Sequence, residues 1–298
     1  VKIDAVFEGG GVKGFSYIGA VQVLEKSGYV WNQLAGSSVG SITAALLAAG
    51  FTGEEMKEYF LKFPLDQLGK KSGISRIPFL GPALSLEFLN GIYSLSPLEA
   101  SLVSALKTKG KVTFGDLPEN KLKIVVSDIT QNRMAILPDD LPLYHLSPDE
   151  FPIARAVTMS ASVPFFFKPL TLDGNLIVDG SLLSNYPIWL FDSKETPRWP
   201  TFGFRLSGSP RVHQQKKVKG LVDISLALIK TMMEAHDKRY IESHNAARTI
   251  FIKGIPVSTT QFDISNEEKL QLIELGKQAA EEFLAKWNFT EYIHRYRA

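Results

Sequence analysis

Three short runs in this chain hold residues whose types and spacing can do chemistry. The first is Gly9-Gly10-Gly11-Val12-Lys13-Gly14, which leaves an apolar stretch and enters a helical one. Without Cβ atoms, backbone N–H groups at a helix start can approach a negative atom closely. The second is Gly36-Ser37-Ser38-Val39-Gly40, a G-x-S-x-G run centred on Ser38. Small residues on both sides let a nucleophile elbow turn sharply and lift the serine hydroxyl above a sheet at a helix N-terminus. The third is Leu176-Ile177-Val178-Asp179-Gly180-Ser181, an apolar strand that ends in Asp-Gly. Within a parallel sheet such a strand delivers its carboxylate to the C-terminal edge where both glycine turns lie. Partial burial there raises the Asp179 pKa and helps it take a proton from Ser38.

Each run has a competing reading. Gly9 to Gly14 also fits the G-x-G-x-x-G dinucleotide fingerprint, yet the acidic residue expected about 20 positions on is replaced by Asn32 and Gln33. The phosphate P-loop needs Lys and Ser/Thr after its last glycine, where this chain has Phe15-Ser16. A serine nucleophile also pairs with histidine in the order Ser, Asp or Glu, His. The five candidates are His145, His213, His236, His244 and His294, none of them in a distinctive motif. There is no H-E-x-x-H and no close histidine pair, so no metal site is expected. A Ser-His-Asp carboxylesterase and a catalytically silent lipid- or nucleotide-binding module therefore stand beside a Ser-Asp reading.

The elements that must position these residues follow from pattern. Lys2 to Phe7 reads as a strand and about Gly14 to Ser27 as a helix closed by Gly28; Tyr29 to Ala35 and Ile42 to Ala49 repeat the unit, closed by Gly50. Further strands are expected at Leu122 to Ser127, Leu176 to Asp179, Thr201 to Leu206 and Thr249 to Ile252. Repeated strand-turn-helix units imply an α/β fold, three layers in α/β/α order around a mostly parallel central sheet. In the last helix Ser265 and Glu268 fit a capping box, and Leu270, Ile273, Ala280, Phe283, Leu284 and Trp287 recur at helical spacing as core.

Composition narrows the function classes. The chain has 298 residues, 45% hydrophobic and 21% charged, which suits a globular protein and excludes disorder as the main state. With 33 Lys+Arg against 31 Asp+Glu, a net charge of +2 gives no drive toward nucleic acid. Cysteine is absent, so a covalent nucleophile must be oxygen or nitrogen. No internal repeat or low-complexity linker breaks residues 1–298, which are expected to form one domain, with looser stretches at Pro64 to Leu89, Pro138 to Pro152 and Ser207 to Lys219. Residues 64–97 are a candidate lid or acyl-groove excursion, and residues 207–298 supply C-terminal elements of the same domain. No run approaches the roughly 18 apolar residues of a membrane span, so a cytoplasmic location is expected, with peripheral contact to a membrane as an option.

Taken in order, Gly9 to Gly14, Gly36 to Gly40 and Asp179-Gly180 resemble the three hallmark blocks of the patatin-like phospholipases. The likeness extends to Ala161-Ser162-Val163-Pro164 and Asn185-Tyr186-Pro187 and covers most of residues 1–190. It implies a patatin-like fold and a lipid acyl hydrolase acting on phospholipids, lysophospholipids or other acyl esters. Ser38 would be the nucleophile, Asp179 the general base without histidine, and the amides near Gly10, Gly11 and Val12 the oxyanion hole. Gly36 and Gly40 would shape the elbow, and neither cofactor nor metal is required. One departure is visible: the family usually has Asp-Gly-Gly or Asp-Gly-Ala, and this chain has Ser181 at the third place. Two segments bear on lipid contact. Ile77 to Leu84 with Leu86, Phe88 and Leu89 is an apolar excursion flanked by Lys70, Lys71 and Arg76, suited to a membrane surface, an acyl groove or the core. Arg211, Lys216, Lys217 and Lys219 suit anionic headgroups or a solvated loop, while Phe165-Phe166-Phe167 reads as core.

Overall fold

Both expected strand-turn-helix units open the chain: β1 (Lys2–Phe7) leads to α1 (Phe15–Lys26), and β2 (Val30–Ser37) to α2 (Val39–Ala48). The structure is a computed structural model that describes residues 1–69, 93–208, 227, 231 and 243–296. Gly28 and Gly50 take positive φ just past the two helices, as C′ residues do. The second helix begins three residues earlier than its apolar run suggests, directly after Ser38, so Ser38 itself is the N-cap. Next come α3 (Gly53–Lys62), α4 (Ser96–Thr108), β3 (Leu122–Asp128), β4 (Arg133–Leu137) and α5 (Ile153–Ser160). They are followed by β5 (Leu170–Leu172), β6 (Asn175–Asp179), β7 (Thr201–Gly208) and α6 (Ser243–Ala247). The chain then runs through β8 (Thr249–Ile255), α7 (Asn266–Leu284) and α8 (Phe289–Tyr296).

The strands form one sheet in the order β5-β6-β3-β2-β1-β7-β8, with β4 also pairing β3. The pairs β1/β2, β1/β7, β2/β3 and β7/β8 are parallel. The expectation that Asp179 ends a parallel strand is corrected here: β6 runs antiparallel to β3, with Asp179 opposite Val126. Its carboxylate still arrives beside Ser38, because β6 and β2 share one edge of β3 end to end, Val126 pairing with Asp179 and Val125 with Ser37, while β4 covers the other edge. Register, rather than a shared strand direction, brings the two ends to one level.

The sheet face bearing Ile3, Phe7, Leu34, Ile124 and Val126 packs on Tyr17, Ile18 and Val21 of α1, Leu46 of α2 and Leu272 of α7 in one buried cluster. Phe202, Phe204, Ile250 and Ile252 of β7 and β8 belong to the same core. Among the described residues, the opposite face carries a smaller cluster of Val6 and Ala35 under Tyr186 and Ile188.

Ser265 and Glu268 make the expected capping box at the start of α7. Its buried stripe is Lys269, Leu272, Ile273, Gly276 and Ala280, whereas Leu270 is 44% exposed and does not join it. The stripe is tuned to α1: a Cβ on Gly276 would lie 1.7 Å from the Ser16 carbonyl oxygen, and one on Gly19 would lie 1.8 Å from that of Ile273. Bare glycines let the two backbones touch, and this fixes α1 and hence the glycine turn that precedes it.

Candidate active site

Ser38 has φ 52° and ψ −126°, an unusual conformation for a residue with a side chain and the one a nucleophile elbow imposes. The turn closes so tightly that a Cβ on Gly36 would sit 2.3 Å from the Gly40 carbonyl, and one on Gly40 would sit 2.2 Å from the Phe7 carbonyl oxygen. Only glycine fits at either place. The strained amide is held from below: Ser38 N–H donates to Ser160 Oγ at 2.9 Å, and Ser160 Oγ donates to the Val125 carbonyl at 2.6 Å. The Ser38 carbonyl accepts from the Ser41 hydroxyl at 2.6 Å and the Ser41 amide at 2.9 Å. Backbone strain of this kind costs roughly 1–3 kcal/mol and persists only where neighbours fix it.

Asp179 is 3% exposed and caps a 3-10 turn at Gly180–Leu182. Its amide donates to the Ser162 carbonyl at 2.9 Å, and its Oδ1 accepts from the Ser181 amide at 2.8 Å. Oδ2 is buried with no partner at hydrogen-bond geometry among the described residues. Burial pushes this carboxyl up to about 6, against the lowering effects of the Ser38 hydroxyl, the Ser181 amide and the Ser181 hydroxyl. The Ser38 hydroxyl is thus among the groups that favour the charged carboxylate.

The glycine run makes a short 3-10 turn, Gly11–Gly14, ahead of α1. The Gly9 amide donates to the Asn185 carbonyl at 3.0 Å, and the Val12 amide donates to the Thr259 carbonyl at 3.1 Å. The amides of Gly10 and Gly11 have no acceptor among the described residues, as first-turn donors do not. A second carboxylate anchors the run. Glu8 accepts from Asn185 Nδ2 at 3.2 Å, Arg205 Nε at 3.2 Å and the Leu206 amide at 2.5 Å, and its carbonyl accepts from the Tyr17 hydroxyl at 2.6 Å.

Ser38, Asp179 and the run from Gly9 to Val12 thus meet in one place: Ser38 Cβ lies 3.2 Å, and Ser181 Oγ 2.1 Å, from the point a Cβ on Gly9 would occupy. No histidine is among the hydrogen-bond partners of Ser38 and Asp179 in the described residues. His145 is 87% exposed and pairs with Asp173 at 2.9 Å; His244 lies on α6 at the opposite end of the sheet; His294 is exposed on α8. His213 and His236 fall outside the described residues, as do Lys70, Lys71, Arg76, Ile77 to Leu89 and the basic group from Arg211 to Lys219. Of the three phenylalanines, Phe167 is buried, and Phe166 packs on Tyr93 and Phe262 at the core's edge. Ser160, Glu8, Arg205 and Thr259 escaped sequence reasoning. Glu8 alone carried a signal there, as a charge closing an apolar strand just before the glycines.

In overall fold the chain is similar to VipD from Legionella pneumophila, with TM-score 0.60 and 21% identity, covering 95% of this chain and 66% of that one. It is also similar to the type III effector protein ExoU, at TM-score 0.54 and 16% identity over 96% of this chain and 53% of that one. The chain thus spans about half to two thirds of these two proteins. The uncharacterized protein YqhO of Bacillus subtilis (strain 168) is 41% identical over 296 residues, 96% of this chain and 99% of its own. The probable lipid hydrolase 463L of Invertebrate iridescent virus 6 is 26% identical over 192 residues, 61% of each chain. The family description Patatin-like phospholipase matches residues 5–192, a range that holds the elbow, the glycine run and Asp179 together, and the chain belongs to that family.

Proposed function

We propose that this protein is a lipid acyl hydrolase that cleaves carboxylic esters of phospholipids or lysophospholipids through a Ser38-Asp179 dyad. One observation carries the reading: a serine held in a strained elbow faces a fully buried carboxylate that keeps one oxygen uncommitted. Ser38 Oγ attacks the ester carbonyl carbon while Asp179 Oδ2 takes its proton. The carbonyl oxygen becomes the oxyanion and is met by the amides of Gly10 and Gly11. The Val12 amide, bound to Thr259, sets the shape of the turn. Collapse of the tetrahedral intermediate expels the alcohol, which receives the proton from Asp179, and leaves an acyl-serine. Water then attacks the acyl carbon with Asp179 again as base, releasing the fatty acid and restoring Ser38.

A carboxyl near 6 suits this cycle, since it is ionised at neutral pH and still basic enough to accept a proton. The family membership and the viral relative's name support lipid esters as the substrate class. The test is fluorophosphonate labelling with peptide mapping, together with p-nitrophenyl ester hydrolysis. Wild type should be labelled at Ser38, and Ser38→Ala and Asp179→Asn should each lose at least about 10⁴-fold in turnover. Each His→Ala variant should keep its activity. Undiminished hydrolysis by a folded Ser38→Ala protein, or collapse on loss of one histidine, would overturn the dyad.

A further inference from the structure

Directly after Asp179-Gly180 this chain places the Ser181 hydroxyl beside the dyad carboxylate. Ser181 is 1% exposed, and its Oγ has no partner at hydrogen-bond geometry among the described residues. Asp179 Oδ2, on the residue two before it, is also buried and unpartnered. An unmet donor and an unmet acceptor in one buried site are both unfavourable, and a single bond between them relieves both. The two are already tethered, because the Ser181 amide grips the other oxygen, Oδ1, at 2.8 Å. The hydroxyl lies against the bare Cα of Gly9, with Ser38 Cβ and Asn185 Oδ1 closing the same small space.

Building on the dyad reading, we infer that Ser181 is a positioning residue for the base, its hydroxyl donating to Asp179 Oδ2 so that the oxygen is held, charged, toward Ser38. A carboxylate oxygen has two acceptor sites, so it can take the Ser181 bond and still receive the Ser38 proton. Opposing influences act on Asp179: burial raises its pKa, and the Ser38 hydroxyl, the Ser181 amide and the Ser181 hydroxyl each lower it. The charged groups on the surrounding elements are engaged elsewhere. Asp128 of β3 accepts from Tyr144 at 2.9 Å, Glu8 before the glycine run pairs with Arg205 of β7, and Arg155 of α5 pairs with Glu99. Lys13 lies further along the glycine run, and burial and hydrogen bonds, rather than a neighbouring charge, set the Asp179 shift.

The test is the pH profile of kcat/KM for a soluble p-nitrophenyl ester, measured for wild type, Ser181→Ala, Ser181→Cys and Asp179→Asn. Two to three hydrogen bonds lower a carboxylate by about two units, so losing one raises the acid limb by about one, from about 6 in wild type. At pH 6 Ser181→Ala should then lose about fivefold and above pH 8 almost nothing. Ser181→Cys, similar in volume with a weaker donor, should fall between them and carries the test if the alanine variant does not fold. An acid limb that stays put, or a loss of equal size at every pH, would overturn the role of Ser181 while leaving the dyad standing. Wild-type activity in Asp179→Asn would instead remove the dyad itself.

Discussion

The Asp179 carboxylate should weaken the fold at the pH where it is useful. Its pKa is about 6 in the folded chain against 3.8 for the free side chain, and burial is the largest cause. A carboxyl raised on folding stabilises the folded form fully below its unfolded value and loses that contribution as pH rises through its folded value. The shift of about two units, at about 1.4 kcal/mol each, amounts to about 3 kcal/mol at pH 7 and above. Asp179→Asn removes the charge and keeps an oxygen for the Ser181 amide, so the variant should be inactive and more stable than wild type. For a chain of this length about 3 kcal/mol is about 5 °C in melting temperature. Melting both proteins between pH 4 and 8 checks the reasoning through the shape of the difference: close to zero near pH 4, growing through pH 6 and flat above 7. A difference that does not vary with pH, or an asparagine variant less stable at pH 7.5, would refute the claim that Asp179 is an ionised carboxylate strained by burial.

Ser160→Ala should strand the Ser38 amide and the Val125 carbonyl together. Two unmet buried groups predict a loss of about 2 kcal/mol in urea unfolding and slower fluorophosphonate labelling of Ser38; unchanged values of both would mean that the elbow holds itself. Gly276→Ala should place a Cβ 1.7 Å from the Ser16 carbonyl oxygen, on backbone that cannot swing away. The α1–α7 contact must then open, at a cost of about 3 kcal/mol or more; a variant melting within a degree of wild type would show that α7 can shift at no cost.

The frame was legible where apolar runs and glycines agreed. The first 50 residues read correctly as two strand-turn-helix units because β1 and β2 are central parallel strands with short apolar runs, with Gly28 and Gly50 marking the helix ends. The short β5 and the β4 hairpin strand went unread because three to five residues beside polar turns give no period to count. Asp179 was found for a reason that fails in detail: Asp-Gly after an apolar strand marks an edge, and the direction of that strand is a long-range property of the sheet. Leu270 illustrates the converse error. Helical spacing placed it on the core stripe, yet the side of α7 that meets α1 is chosen by Gly276, a residue invisible to any count of apolar positions.

The polar supports of the site were the least legible, because they join residues far apart in sequence. Glu8 is the instructive case. Buried carboxylates are unfavourable unless paired, and this one is met by a guanidinium, a side-chain amide and a backbone amide, two of the three from β7. Thr259 acts on the same run from beyond β8, occupying the Val12 amide and standing where any side chain on Gly11 would have to go. Both Arg205 and Thr259 lie past residue 192, where the family match ends. Some of the supports that keep the glycine run in place, Glu8 and Asn185, therefore lie inside that match, and others come from beyond it. Sequence motifs mark the proposed nucleophile and base, which must be of one chemical type. The supports need only a donor or a carbonyl at the right point in space, which many residue types supply and no motif records.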